Sequence, residues 1–531
     1  MKRLARLLPP ALSFAAAVAC GPQARPLSVP GPTTAHPAGY SPIDAPPPTA
    51  PSVRLLANRT PGAKVVALRV VFLAGSADDP PGKEGLTLLT ATTMATSGTA
   101  TLTYPELLAR LYPFAASIDV HVDRDETVFS AEVTEPELAA FYPLLEEVIL
   151  APRLDAEGFD RVRAQTTSQL TDDLRGGDDE ALGKEALQVL LYQGHPYGHP
   201  ALGTERGLAA STLADVKAQR ARVLCRDRVV VGVAGGFPET FAAKLATDLG
   251  ALPSCPDGSQ RTPLPAPRKL TGFHVLVVDK PSADATAISM GYSYDLTRAS
   301  TDFPAVAFFT DYLGLHRQSS GRLYEELREK RGLNYGDFAY AEHFEQDGGS
   351  TFRLPNVARR QELFSMWLRP VKSRDALFAL HAALHEYATT LTHHIPQAEV
   401  QRYRTFLTRH TTLEELTPSR RIGYAIDDLT YGLSRPYLDT MHDAWQKLDE
   451  ATLAAAAERH LQTSDMGVAI VAKDGAALAA ALVAGTPPQP PRYDSPRPPE
   501  VTAADRDIVR FSVPVSVDNV RVVAASDLFR E

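Results

Sequence analysis

One order of secondary-structure elements is written twice along this chain, and that repetition limits the fold more than any other feature. In the first half, the apolar pattern predicts a strand over 64–74 and a turn leading into a helix over 81–97. A helix over 104–112 follows, then strands over 115–122 and 127–133, and helices over 135–149, 156–175, 182–191 and 214–222. A strand over 228–234 and its helix, 241–249, close the half. The second half starts again with strands over 274–279 and 286–294, a helix over 304–313, a charged helix over 322–330 and strands over 335–340 and 350–354. Long helices over 374–392 and 397–409 and a late strand over 468–472 complete it. Antiparallel strands followed by runs of helices predict the α+β class, with helices packed on one face of each mainly antiparallel sheet. A chain of 531 residues is long enough for two such domains. Two homologous domains whose sheets face each other enclose a groove.

Proline marks the borders. Residues 253–269 read as a linker between an N-terminal domain, 53–252, and a C-terminal domain, 270–485. Residues 486–531 read as a Pro-rich tail with short alternating strands around Val509, Phe511 and Val513. Residues 21–52, with PGP and APPPTAP, read as an extended tether. Ahead of the tether, Lys2, Arg3 and Arg6 precede an apolar run too short to span a bilayer, so residues 1–20 read as an export signal. Ala17-Val18-Ala19-Cys20 is similar to a bacterial lipobox, which predicts cleavage before Cys20 and its lipidation; the alternative is an ordinary signal cut after Ala19. Gly21, where an Asp would direct retention in the inner membrane, points to a lipid anchor in the outer membrane, facing the periplasm. A formal charge of −9 gives no electrostatic footing for nucleic acid.

Export places Cys225 and Cys255 in an oxidising compartment. Cys225 precedes the buried-strand pattern RVVVGVAGG, and Cys255 lies just past the helix that returns the chain toward that strand's start. The two thiols can therefore meet, or remain two separate buried thiols.

The most distinctive local motif is GRLYEELREKRGLNYG, from Gly321 to Gly336. Charges from Glu325 to Arg331 make a solvated helix, Leu323 and Leu327 supply its buried stripe, and Gly332 ends it. This segment resembles the second homologous domain of the insulinase/pitrilysin family of zinc metallopeptidases. FLAGSADDPPGKEGLTLLTATTMATSGT (72–99) and LYQGHPYGHPALGTE (191–205) resemble the first. The resemblance covers roughly 51–484, and it implies that Arg331 and Tyr335 hold substrate peptide across the groove.

The same resemblance exposes a loss. Active members carry His-x-x-Glu-His on the helix after the Gly-Leu pair, two imidazoles for zinc and a carboxylate to activate water, with a third ligand Glu on a later helix. Here the matching positions are Leu88, Ala91 and Thr92, and Gln165 or Gln169 falls where the later Glu would be. No cofactor is therefore expected in this chain. The resemblance implies the zinc-free, Arg/Tyr-bearing subunit of a heteromeric peptidase, with zinc in a homologous partner and an extended peptide as substrate. A structural or interaction protein on a degenerate peptidase fold is the alternative. A further alternative is an active peptidase with a non-standard metal site at His381 and His385, four apart on one helix and otherwise read as two solvated side chains.

Overall fold

The computed structural model describes residues 53–256, 261 and 263–531. The signal, the tether and Cys20 lie outside the described residues. Two sheets organise the rest. The first contains β1 (Arg54–Arg59), β2 (Val65–Phe72), β3 (Asp119–Val122), β4 (Thr127–Thr134) and β5 (Val229–Gly235), in the order β1-β5-β2-β4-β3. The second contains β6 (Phe273–Asp279), β7 (Thr286–Tyr294), β8 (Gly336–Tyr340), β9 (Glu362–Val371), β10 (Gly467–Ala472) and β11 (Val515–Ala524), in the order β11-β6-β10-β7-β9-β8. Most neighbours are antiparallel; β1 runs parallel to β5, and β6 runs parallel to both β10 and β11. The fold is the α+β architecture of two sheets with many helices that the element order predicts.

The central strands of each sheet are buried on both faces, because each half supplies a helix to the other's inner face. On the first sheet, Val66, Leu68, Val70 and Phe72 of β2 face that half's own helices. The alternate residues Ala67 and Val71, with Val230 and Ala234 of β5, pack on Ile422 and Ile426 of the helix Pro418–Tyr431 from the second half. On the second sheet, Val275, Val277, Val468 and Ile470 face their own helices. Leu276, Val278, Ala469 and Val471 belong instead to the core that holds Leu182, Leu187 and Leu191, on the first half's helix Asp179–Leu191. Glycine admits both crossings. A Cβ on Gly232, in the middle of β5, would lie 2.5 Å from Ile422 Cγ1; one on Gly467, at the start of β10, would lie 2.8 Å from Leu191 Cδ2.

The C-terminal segment corrects the expected extended tail. Pro499–Arg510 is a helix whose buried residues Val501, Asp505 and Ile508 recur at helical spacing. β11 then adds an edge to the second sheet, and the chain end returns to the first half. Leu528 and Phe529 enter the first core, the amides of Glu205 and Arg206 donate to the carbonyls of Phe529 and Arg530, and Arg175 donates to the Ser526 carbonyl at 2.8 Å. The strand expected over 350–354 is reduced to one bridge, Gln346 with Arg353. Cys225 and Cys255 form a disulfide with Cα atoms 5.3 Å apart. Among the described residues, no helix is long and apolar enough to cross a membrane.

Candidate functional site

The halves meet along a cleft made of two cavities, about 570 and 500 Å³, that share Asp178, Glu180, Arg317 and Arg369. The first half contributes the end of the edge strand β3 (His121, Val122) and the start of the helix Asp179–Leu191. The second half contributes β8, β9 and the turns around Arg317 and His343. An aromatic cluster of Phe338, Tyr340, Phe344 and Trp367 forms the second half's wall; Lys184 sits 3.8 Å over the Trp367 ring. Burial pulls the Lys184 ammonium down to about 8, against the pull of nearby carboxylates.

Behind this wall lies a polar seam that no local reading of the sequence could find. The turn from β3 to β4 buries four consecutive charged residues, Asp123, Arg124, Asp125 and Glu126. A run of charges at a hairpin tip is ordinarily solvated; here its partners come from distant parts of the chain, most of them in the second half. Asp123 accepts a two-pronged bond from Arg359, both at 2.7 Å, and Asp125 accepts from Arg360 and Arg261 at 2.8 Å. Arg124 donates to Glu185 at 2.6 Å, and the Thr430 hydroxyl donates to Glu126 at 2.9 Å. Burial alone would raise the Asp123 carboxyl, but Arg359, His343 and Arg124 hold it far below the usual carboxylate range. Glu362 goes the other way: burial and the neighbouring Glu342 push it to about 8, with the Tyr431 hydroxyl 2.8 Å from its Oε1.

The helix Leu86–Thr96 is capped by Asp79, whose carboxylate accepts from the amides of Gly85 and Thr87 at 2.7 Å. Burial pushes that carboxyl to about 7 despite these bonds. Thr90, Thr93 and Thr96 turn their hydroxyls back to carbonyls four residues earlier, so the helix satisfies its own polar groups. It packs beside the helix Ala156–Ser168, and Arg161 of that helix reaches Thr96. Two helices that would have to share an ion are thus neighbours. Their donors do not fit one: Leu88 and Ala91 offer carbon, Thr92 a neutral hydroxyl and the exposed Gln165 a neutral amide. Gln169 opens a π-helical stretch, Gln169–Gly177. Neither cavity is lined by the Leu86–Thr96 helix; Pro200, Ala201 and Leu202 line the cleft on that side.

Arg331 and Tyr335 part company. Tyr335 is 75 % exposed and lines the mouth of the cleft, its ring stacked on the Arg328 guanidinium at 5.1 Å. Arg331 is 3 % exposed and does not face the groove. Its Nε donates to Asp505 at 2.8 Å and its Nη1 donates to the Glu326 side chain at 3.0 Å and carbonyl at 2.8 Å. Asp505 also accepts from the Tyr493 hydroxyl at 2.8 Å. The expected peptide contact is therefore an anchor for the C-terminal helix: a guanidinium already carrying two carboxylates has no fork left for a ligand. His381 and His385 are likewise claimed by that segment. His381 Nδ1 lies 3.0 Å from the Phe511 carbonyl, His385 meets the Phe511 ring edge-on at 5.5 Å, and neither is the freely solvated side chain its spacing implies. Among the described residues, no group of three or more His, Cys, Asp or Glu is placed to hold a metal ion.

Comparison with known proteins places this geometry. Residues 54–205 match the family described as insulinase (peptidase family M16), and residues 211–407 match the peptidase M16 inactive domain. An uncharacterized zinc protease of Mycobacterium leprae is 21 % identical over 300 residues, 56 % of this chain and 65 % of the relative, so the chain spans less than two thirds of that protein. A Pseudomonas fluorescens structure described as a peptidase M16 inactive domain superposes with a TM-score of 0.69 at 22 % identity, covering 80 % of this chain and 96 % of that one. The Escherichia coli periplasmic protease PqqL gives 0.58 at 14 % identity, covering 78 % of this chain and 44 % of that one.

Proposed function

The chain belongs to the insulinase family of peptidases, and from that premise we propose that it is the zinc-free, peptide-holding subunit of a two-chain metallopeptidase. The observation that carries this reading is the combination in one molecule of an open inter-half cleft and a motif helix bearing Leu88, Ala91 and Thr92. The cleft has what an extended peptide needs: an edge strand, β3, for main-chain pairing, an aromatic wall for side chains, and the exposed Tyr335 hydroxyl at its mouth. Leu88, Ala91, Thr92 and Gln165 supply neither the ligands for a zinc that would polarise a carbonyl nor a base to activate water, so cleavage falls to a homologous partner carrying His-x-x-Glu-His and zinc.

Lipidation at Cys20 and the Pro-rich tether would hold the subunit at the periplasmic face of the outer membrane. A periplasmic relative of the fold accords with that placement. The test is purification from the native membrane with metal analysis of each separated chain. Zinc in a co-purifying homologue, and joint peptidase activity weakened by Tyr335→Phe, support the reading. Recovery of the chain alone, with no homologue after mild crosslinking, overturns it.

The sequestered Arg331 favours a second reading, a purely structural protein on the same fold. That reading expects Tyr335→Phe to be silent and no peptide to bind.

A further inference from the structure

The two cavities meet at a place where one guanidinium has no partner among the described residues. Three of the carboxylates around the junction are already committed. Asp178 caps the helix Asp179–Leu191 by accepting from the amides of Glu180 and Ala181, Asp179 pairs with Lys280, and Glu180 is shared between Lys184 and Arg369. Arg317 lies in both cavities and forms no hydrogen bond or ion pair with any described residue. Its charge is felt by its neighbours: it is among the influences lowering Lys184 and His316. Arg328, at the mouth, donates to the Tyr335 carbonyl at 3.1 Å and stacks between the Tyr324 and Tyr335 rings, with no ion pair to a carboxylate among the described residues.

The backbone at this point is also unusual. Arg317 has a φ of +53°, left-handed for a residue with a side chain, in the turn that follows the helix Phe303–Gly314. Such a conformation costs about 1 kcal/mol or more and persists where surrounding structure imposes it. Glycine would fit the turn better. The residue present instead points a guanidinium into the junction of the cavities, beside the aromatic wall of Phe338, Phe344 and Trp367.

We propose that this junction binds a carboxylate of an extended peptide, either a C-terminal carboxylate or an Asp or Glu side chain, with Arg317 as the main contact and Arg328 as the second. The aromatic wall takes the apolar side chain next to that carboxylate. This rests on the peptide-holding reading above and adds a substrate class to it, peptides acidic at one position. A guanidinium without a partner supplies strong, paired donors to a carboxylate at no cost of breaking an existing pair.

The experiment uses the full chain and labelled, end-blocked peptides of about eight residues, alternating Ala and Phe around one central Glu, read by fluorescence anisotropy. A second peptide has Gln for Glu, and a third has Gln with a free C-terminal carboxylate. The expected result is about tenfold weaker binding of the blocked Gln peptide than of the Glu peptide or, where the junction takes a chain end, than of the free-acid peptide. The free-acid peptide's affinity tells which carboxylate the junction takes. That preference disappears in Arg317→Gly, which relieves the backbone conformation and so keeps the fold, and it fades in about 1 M salt, where screening falls to about 3 Å. Equal binding of all three peptides overturns the carboxylate site and leaves the peptide-holding reading standing, as does discrimination that survives Arg317→Gly. No binding of any peptide removes both.

Discussion

The motif helix of the first half and the Arg/Tyr segment of the second each depart from an active zinc peptidase, in different ways. Around Leu86–Thr96 the framework is kept and the atoms are wrong: the helix still lies against Ala156–Ser168, but Leu88, Ala91, Thr92 and Gln165 carry no zinc donors. Around Arg331 the atoms are right and the surroundings have taken them: a carboxylate 174 residues further along the chain occupies the guanidinium. A chemical loss is legible in the sequence, residue by residue. A loss through occupation shows only once the chain is folded.

The sharpest way to probe the contrast is to restore the atoms. If the first departure is chemical alone, the combined variant Leu88→His, Ala91→Glu, Thr92→His, Gln165→Glu should take up about one zinc per chain by elemental analysis, and the wild type should take up none. Next in size is Arg331→Ala, which strands Asp505 without its cation in a buried site. It should cost about 3–5 kcal/mol in denaturant unfolding, and Asp505→Ala in the same chain should recover part of that loss. A near-neutral Arg331→Ala would mean the guanidinium is not an anchor after all.

A smaller effect concerns the polar seam. Glu362 has a folded pKa of about 8, above its unfolded value, so the folded state holds the proton more tightly. Its contribution is present at low pH and is lost as pH rises through the range up to about 8. Glu362→Gln keeps the neutral form, so the variant should gain about 1 kcal/mol or more on the wild type between pH 5 and 8.5, read from thermal unfolding at each pH. Smallest of all is Tyr335→Phe: an exposed hydroxyl should change stability by less than about 0.5 kcal/mol while weakening peptide affinity measurably. Tyr335 thus carries binding with little stability, and Arg331 carries stability.

Much of the framework was readable because the central strands of both sheets are buried on two faces. Strands such as VVALRVVF and VVVGVAG are nearly continuous apolar runs, and runs of that kind declare themselves. What escaped did so for physical reasons. β9, ELFSMWLRPV, mixes polar and apolar residues and ends in Arg-Pro, so neither period stands out. β1 follows the Pro-rich tether and is too short to show alternation. Val509, Phe511 and Val513 imitate a strand's period of two, while Val501, Asp505 and Ile508 set the helix, and the partner that buries Asp505, Arg331, is distant in sequence. At the site, the absent ligands were visible and the disulfide was one of two open outcomes. The seam of Asp123 to Glu126 was hidden because its partners at 261, 359, 360 and 430 are distant in sequence.

All of this turns on whether a cradle for peptide persists where the cutting ion has no ligands. The most direct measurement is a peptidase assay on the purified chain alone, with and without a chelator, alongside anisotropy on the same peptide. The peptide should be bound and stay intact whether or not chelator is present. Turnover by the single chain that the chelator abolishes would contradict it.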